Sequence, residues 1–297
     1  MPSADEPRSL SCQPAGGVSP AASPSAGLGV IGLGRMAQAL LLPLIAEGWV
    51  DRQAVRAVVA SEASAQRLQR EHGLAVGTEA AAAWRCPTVL LAVKPQQLEA
   101  VARQHPAGDA EHGPPGEPAS RPLLISVLAG VRLERLERLF PGWCCVRAVP
   151  NTPTLVRCGL TGLAWGQGID PARQVWVREL FERVGEVLEC PEPQLDAFLA
   201  LTSSGPAFVA LVAEALADGA VAAGLPRAQA QYLTQRTLAG TAALLDQAQL
   251  TPAALKDMVA SPGGTTMAGL RRLESAGVRS ALLEAVLAAA ERSRELA

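Results

Sequence analysis

The sequence predicts an α/β protein, a doubly wound, mostly parallel sheet followed by an all-helical domain. Three observations predict it. From Leu28 to Cys190 short apolar runs alternate with helical stretches, the pattern of a parallel sheet covered on both faces. Beyond Pro191-Glu192-Pro193 the chain becomes alanine- and leucine-rich, with helical spacing and no strand signal. At 297 residues and 49% hydrophobic, it is long enough to bury two cores of ordinary size.

Residues 1–26, rich in Pro, Ser, Ala and Gly, lack both core periodicity and the apolar centre of a signal peptide, and read as a disordered tail. Strands are expected at Leu28 to Ile31, Val55 to Ala60, Leu74 to Val76, Thr88 to Val93, Leu123 to Val127 and Cys144 to Ala148. A further hairpin-like pair, Leu160 to Trp165 and Glu186 to Glu189, flanks a helix beginning near Pro171. The segment from His105 to Pro122 reads as a long loop without a catalytic role. Residues 27–190 thus form one domain and 191–297 another. In the second, Gly224-Leu225-Pro226 separates two long helices, glycine closing one and proline opening the next. Both are apolar over more of their circumference than a solvent-facing helix can be, so a second copy of the chain is the expected cover.

Composition narrows the function. A net charge of -2 leaves no cationic excess for nucleic acid or an anionic membrane. The most apolar stretch, Ala207 to Leu225, carries Glu214 and Asp218, so no membrane span is expected. The six cysteines show no C-x-x-C pair and read as reduced thiols in a cytoplasmic protein. Lys94 and Lys256 are the only lysines.

Gly32-Leu33-Gly34-Arg35-Met36-Ala37 follows the first strand and opens a helix, the setting that a dinucleotide fingerprint requires. Gly32 permits the tight turn, Gly34 lets backbone approach a pyrophosphate, and Ala37 lets the helix pack close to the sheet. A plain glycine-rich turn would look the same alone; the strand-helix units around it select a Rossmann-type, nicotinamide-binding domain. Choice between NADP(H) and NAD(H) turns on Val59-Ala60-Ser61-Glu62 after the second strand. Ser61 suits a phosphate and an inward-pointing Glu62 repels one, yet Glu62 also suits a helix start; both cofactors stay open.

Ala92-Val93-Lys94-Pro95 ends the fourth strand at the carboxyl edge, where open parallel sheets bind ligands. A surface lysine is the plainer account of Lys94. Ala129-Gly130 after the fifth strand and Pro150-Asn151-Thr152-Pro153 after the sixth furnish the same edge with small residues suited to a flat ring. In the helical domain, Ser203-Ser204-Gly205-Pro206 and Ser261-Pro262-Gly263-Gly264-Thr265-Thr266 are hydroxyl- and glycine-rich helix openings. Capping alone needs one hydroxyl; the density of the second suits a bound carboxylate. There is no nucleophile elbow, metal-ligand cluster or Tyr-x-x-x-Lys pair. Hydride transfer to a protonated imine, which needs little acid-base help, is favoured.

These motifs, with Ser204 to Phe208, Ala217 to Ala220 and above all Leu255 to Glu274, resemble the pyrroline-5-carboxylate reductase family from about Gly27 to the C-terminus. The resemblance implies reduction of the cyclic imine to L-proline, with NADPH the usual donor and NADH often accepted. It implies homodimers or rings of dimers, with a site between the cofactor edge of one subunit and the glycine loop of the dimer. Carried over by position, Ser261, Gly263, Gly264 and Thr266, with neighbouring Thr265, hold the substrate, and Thr266 bonds the ring nitrogen or relays its proton. Leu33, Gly34, Arg35, Met36 and Ser61 line the cofactor on one side, and Ala92, Lys94, Pro95, Ala129 and Asn151 on the other; Gly32, Val93 and Gly130 belong to the same turns. Ser203, Met258 and Glu62 depart from the family pattern, and Glu62 bears on the cofactor. Two alternatives compete: a beta-hydroxyacid dehydrogenase, which needs a helical-domain lysine where only Lys256 is available, and a non-catalytic nucleotide sensor of the same fold.

Overall fold

The computed structural model describes residues 27–105 and 121–296; the expected tail and most of the expected 105–122 loop lie outside them. The strands are β1 (Leu28–Ile31), β2 (Val55–Val58), β3 (Ala75–Gly77), β4 (Thr88–Leu91), β5 (Leu123–Ser126), β6 (Cys144–Val149), β7 (Gly159–Trp165) and β8 (Gly185–Glu189). They form one sheet in the order β3-β2-β1-β4-β5-β6-β7-β8. Every neighbouring pair is parallel except β6 with β7. The expected hairpin-like pair is corrected: β7 and β8 run parallel, Gly159 opposite Gly185, because α6 (Pro171–Glu182) carries the chain back between them.

The central strands are continuous apolar runs because both faces are covered. β4, β5 and β6 are buried at every residue. Alternate residues feed two cores. On one face Leu90, Leu123, Ile125 and Val146 meet Leu40, Leu41 and Leu44 of α1 (Arg35–Ala46) and Val177 and Phe181 of α6. The same core receives Leu68 from α2 (Glu62–His72). On the other, Val89, Leu91, Leu124 and Cys145 meet Trp84 of α3 (Ala81–Trp84), Leu98 of α4 (Leu98–Gln104) and Leu136 of α5 (Leu133–Leu139). Burial pushes the Cys145 thiol up to about 12, so it acts as a core residue and not a nucleophile. Cys86, Cys144, Cys145 and Cys190 are free thiols, whereas Cys158 is disulfide-bonded, against the expectation of reduced thiols throughout. Cys158 follows left-handed Arg157 in a half-exposed turn, outside the apolar strands that motivate that expectation.

The helices that follow are α7 (Leu195–Thr202), α8 (Gly205–Ala222), α9 (Arg227–Gln247), α10 (Pro252–Val259), α11 (Thr265–Ser275) and α12 (Val278–Glu295). Two compact units result. The sheet unit runs to Ser203, so it includes α7, and it also takes the chain from Ala289 onward; Ser204–Ala288 form the second. Within that second unit α8 has one buried residue, Ala217, while α10 and α11 have none. Leu211 is 67% exposed and Tyr232 62%, an apolar display that a single copy leaves uncovered. One helical run among the described residues, Glu192–Ala222, is long and apolar enough to cross a bilayer, where the sequence predicts none. The apolar character extends back through α7, upstream of the stretch that Glu214 and Asp218 interrupt.

Candidate active site

β1 lies between β2 and β4, the point where strand order reverses and dinucleotides bind. Gly32 follows it with φ +92, and its N–H donates to the Val58 carbonyl at 2.8 Å. A Cβ here would sit 2.8 Å from the Ala92 oxygen and 2.9 Å from Val93 Cγ1, so both conformation and space demand glycine. Ala92 is pinned in turn by its N–H to Ile31 O, 2.8 Å. Leu33 is buried and its carbonyl accepts from Gln38 Nε2 at 2.9 Å. Gly34 is the N-cap of α1, with no side-chain cap and no acidic residue in the first turn, and a Cβ added to it would meet nothing within 4 Å. Arg35 is exposed at the helix start, Met36 packs against the core, and Ala37 is buried. An uncapped helix start facing open space, behind a turn that tolerates no side chain, fits a pyrophosphate.

Beyond β2, Ser61 is the N-cap of α2. Its hydroxyl donates to Ser64 Oγ at 3.0 Å and accepts from Ser64 N–H at 3.4 Å, so it is spent on capping. Glu62 opens the helix, and its carboxylate accepts the Thr78 hydroxyl at 2.7 Å. Past β4, Lys94 is exposed at the sheet's carboxyl edge, and Pro95 starts a 3-10 turn, Pro95–Gln97. The Lys94 N–H donates to Gln97 Oε1 at 3.2 Å.

Ala129 is exposed beyond β5 while Gly130 is buried. At Gly130 a Cβ would meet Leu296 Cβ at 2.8 Å and Ser293 O at 3.0 Å, so this glycine accommodates the end of α12. Asn151, beyond β6, is buried: Nδ2 donates to Thr202 O at 3.0 Å and Oδ1 accepts from Leu160 N–H at 2.8 Å. Its amide joins β7 to α7, and its carbonyl accepts Thr154 N–H at 3.2 Å. Sequence reasoning missed the network beside it. Arg147, 1% exposed on β6, reaches Glu192 Oε1 and Asp196 Oδ1, both at 3.2 Å. Asp196 Oδ1 also accepts from Ser293 Oγ at 2.8 Å, and Glu192 Oε1 from Leu133 N–H at 2.7 Å. The available signal was an arginine inside the apolar run Cys144-Cys145-Val146-Arg147-Ala148-Val149, since a charge buried between helices needs a partner.

In the helical unit, Gly264 is the N-cap of α11 and so caps with no side chain. Gly263 has φ +68, the Gly264 N–H donates to Ser261 O at 3.0 Å, and a Cβ on Gly264 would lie 2.5 Å from Ser261 Oγ. The turn brings Ser261, Gly263, Gly264, Thr265 and Thr266 together, with Thr265 exposed and Thr266 half-buried at the helix start. No acidic side chain occupies that first turn. Capping therefore does not account for its hydroxyls, and the N–H groups that a helix start leaves without in-helix partners suit an anion.

Residues 192–296 match the family model described as pyrroline-5-carboxylate reductase dimerisation, and residues 27–115 match one described as NADP oxidoreductase, coenzyme F420-dependent. Pyrroline-5-carboxylate reductase of a Synechocystis species is 44% identical over 272 residues, 91% of this chain and 97% of that protein. The chain belongs to the pyrroline-5-carboxylate reductase family. The enzyme of that name from Methanosarcina acetivorans is 38% identical over 91% of this chain and 97% of its own length. The crystal structure of Plasmodium falciparum pyrroline carboxylate reductase with NADP bound superposes with a TM-score of 0.80 at 27% identity, covering 92% of this chain and 98% of that one. The dimerisation match falls on the helices, α8 and α9 among them, that bury little of their own surface. The fold is thus a Rossmann-type sheet followed by helices of that domain.

Proposed function

We propose that this chain reduces the C=N bond of 1-pyrroline-5-carboxylate to L-proline with NAD(P)H, as an oxidoreductase of proline biosynthesis. The observation that carries this is the 44% identity to a pyrroline-5-carboxylate reductase over 91% of the chain. The bound nicotinamide supplies a hydride. Gly32, Leu33, Gly34, Arg35 and Met36 hold the pyrophosphate side of the cofactor, and Ser61 lies toward its adenosine end. Ala92, Val93, Lys94, Pro95, Ala129, Gly130 and the Asn151 backbone border its other end. Ser261, Gly263, Gly264 and Thr265 grip the substrate carboxylate through main-chain N–H groups and hydroxyls, neutralising it without a fixed cation. The Thr266 hydroxyl bonds the ring nitrogen. A protonated imine is already electrophilic at carbon, so a positioned hydroxyl suffices and no strong acid is required. In keeping with that, His105 is committed elsewhere: its Nε2 accepts Trp143 Nε1–H at 2.8 Å within an aromatic cluster.

Residues 27–190 serve as the dinucleotide-binding domain and 191–297 as the dimerisation and substrate-binding domain. A second copy, and not lipid, covers the run Glu192–Ala222, in a dimer or a ring of dimers. The enzyme works in the cytoplasm without nucleic-acid or membrane partners, and both NADPH and NADH are candidate donors. The test is oxidation of each nucleotide by purified protein with and without pyrroline-5-carboxylate. Substrate-dependent oxidation is expected; its absence with both nucleotides rejects the proposal.

A further inference from the structure

We infer that Glu62, fixed by Thr78, is a specificity-determining residue that makes this chain select NADH over NADPH. The inference rests on the cofactor reading above. In a sheet of this topology the side chain just past the second strand faces the adenosine ribose, and an acidic one there takes the ribose hydroxyls while repelling a phosphate. Here the first acidic side chain beyond β2 is Glu62, four residues past Val58 and the first residue of α2. Its side chain is exposed, and its carboxylate accepts Thr78 Oγ1–H at 2.7 Å, from the residue that follows β3. The carboxylate therefore bridges the carboxyl ends of the two strands, β2 and β3, that lie on the adenosine side of the switch point.

The neighbouring hydroxyl offers no counterweight. Ser61, the natural phosphate donor of this stretch, donates its proton to Ser64 Oγ and accepts from Ser64 N–H. The nearby arginines of β2 and its approach turn toward main-chain carbonyls, Arg56 to Val55 O at 3.0 Å and Arg52 to His72 O. A bound ribose phosphate would thus meet a held negative charge, with Arg35 the cation that the fingerprint turn itself offers.

Dissociation constants of NADH and NADPH, from nicotinamide fluorescence titrations of the full-length protein, test this without turnover. Wild type is expected to bind NADH more tightly than NADPH. Glu62→Gln, which keeps the shape and removes the charge, should move the ratio of the two constants about tenfold toward NADPH, chiefly by tightening NADPH. Thr78→Val, which leaves the charge but frees it, should move the ratio the same way by a smaller factor. NADPH binding at least as tightly as NADH to wild type, or a ratio that Glu62→Gln leaves unchanged, overturns the inference and leaves the reductase assignment standing. Binding of neither nucleotide sinks both.

Discussion

Gly32 answers two demands at once, a positive φ and a Cβ position 2.8 Å from the Ala92 oxygen. Gly32→Ala is expected to raise the dissociation constant for the nicotinamide nucleotide at least tenfold, measured by titration, because β1 and β4 must part to admit the methyl group. If Thr266 serves the substrate as proposed, Thr266→Ala should lower kcat by about a hundredfold with the nucleotide dissociation constant unchanged. Loss of nucleotide affinity instead would move Thr266 out of the substrate's turn. His105 gives a pH signature. Burial disfavours its imidazolium and lowers its pKa, and its Nε2 must stay unprotonated to accept from Trp143. The unfolded chain takes up the proton first, so this contribution to stability is complete above the unfolded pKa of about 6.5 and is lost as pH falls below it. His105→Phe should flatten the slope of Tm against pH in that acid window, and an unchanged slope would assign it to other groups.

The elements are legible in the sequence where one periodicity decides them. β1 through β6 are runs of apolar residues closed by a turn, and each lies within a residue or two of its expected bounds. β7 and β8 are recognisable as a pair but not in direction, since alternation along a strand carries no information about which way its neighbour runs. The chain from Ala289 onward, which seats on Gly130 and hydrogen-bonds Asp196 through Ser293, is illegible because local periodicity says nothing of partners as far apart as Asp196 and Ser293, 97 positions. Arg147, Glu192 and Asp196 join β6 to α7 by charge. Asp196→Ala should cost about 3 kcal/mol in urea unfolding by leaving the buried Arg147 guanidinium short of a partner; a cost near zero would mean that water replaces the carboxylate. In α11, Gly264→Ala drives a methyl group against Ser261 Oγ. The KM for pyrroline-5-carboxylate should then rise while nucleotide affinity holds.

At the scale of the whole molecule, the sheet unit closes its own cores and the helical unit does not. α8 buries one side chain of its 18 residues, although most of them are apolar. That apolar surplus is visible in the sequence and calls for a partner, and the dimerisation-domain match says of what kind. Leu211→Glu should accordingly raise the dimer dissociation constant in sedimentation by at least tenfold, through desolvation of a charge in the interface. The proposed substrate turn, Ser261 to Thr266, suggests an anion through its glycines and hydroxyls, while the identity of the anion comes only with the motif resemblance, because main-chain N–H groups grip any small carboxylate alike. The claim on which all else depends is that hydride passes from the nicotinamide to the imine carbon of pyrroline-5-carboxylate. Purified protein given that substrate and NADH or NADPH carrying two deuterium atoms at the hydride-donating nicotinamide carbon should yield L-proline with a single deuterium on the former imine carbon, the ring carbon beside nitrogen that does not bear the carboxylate. No proline, or proline without the label, would contradict it.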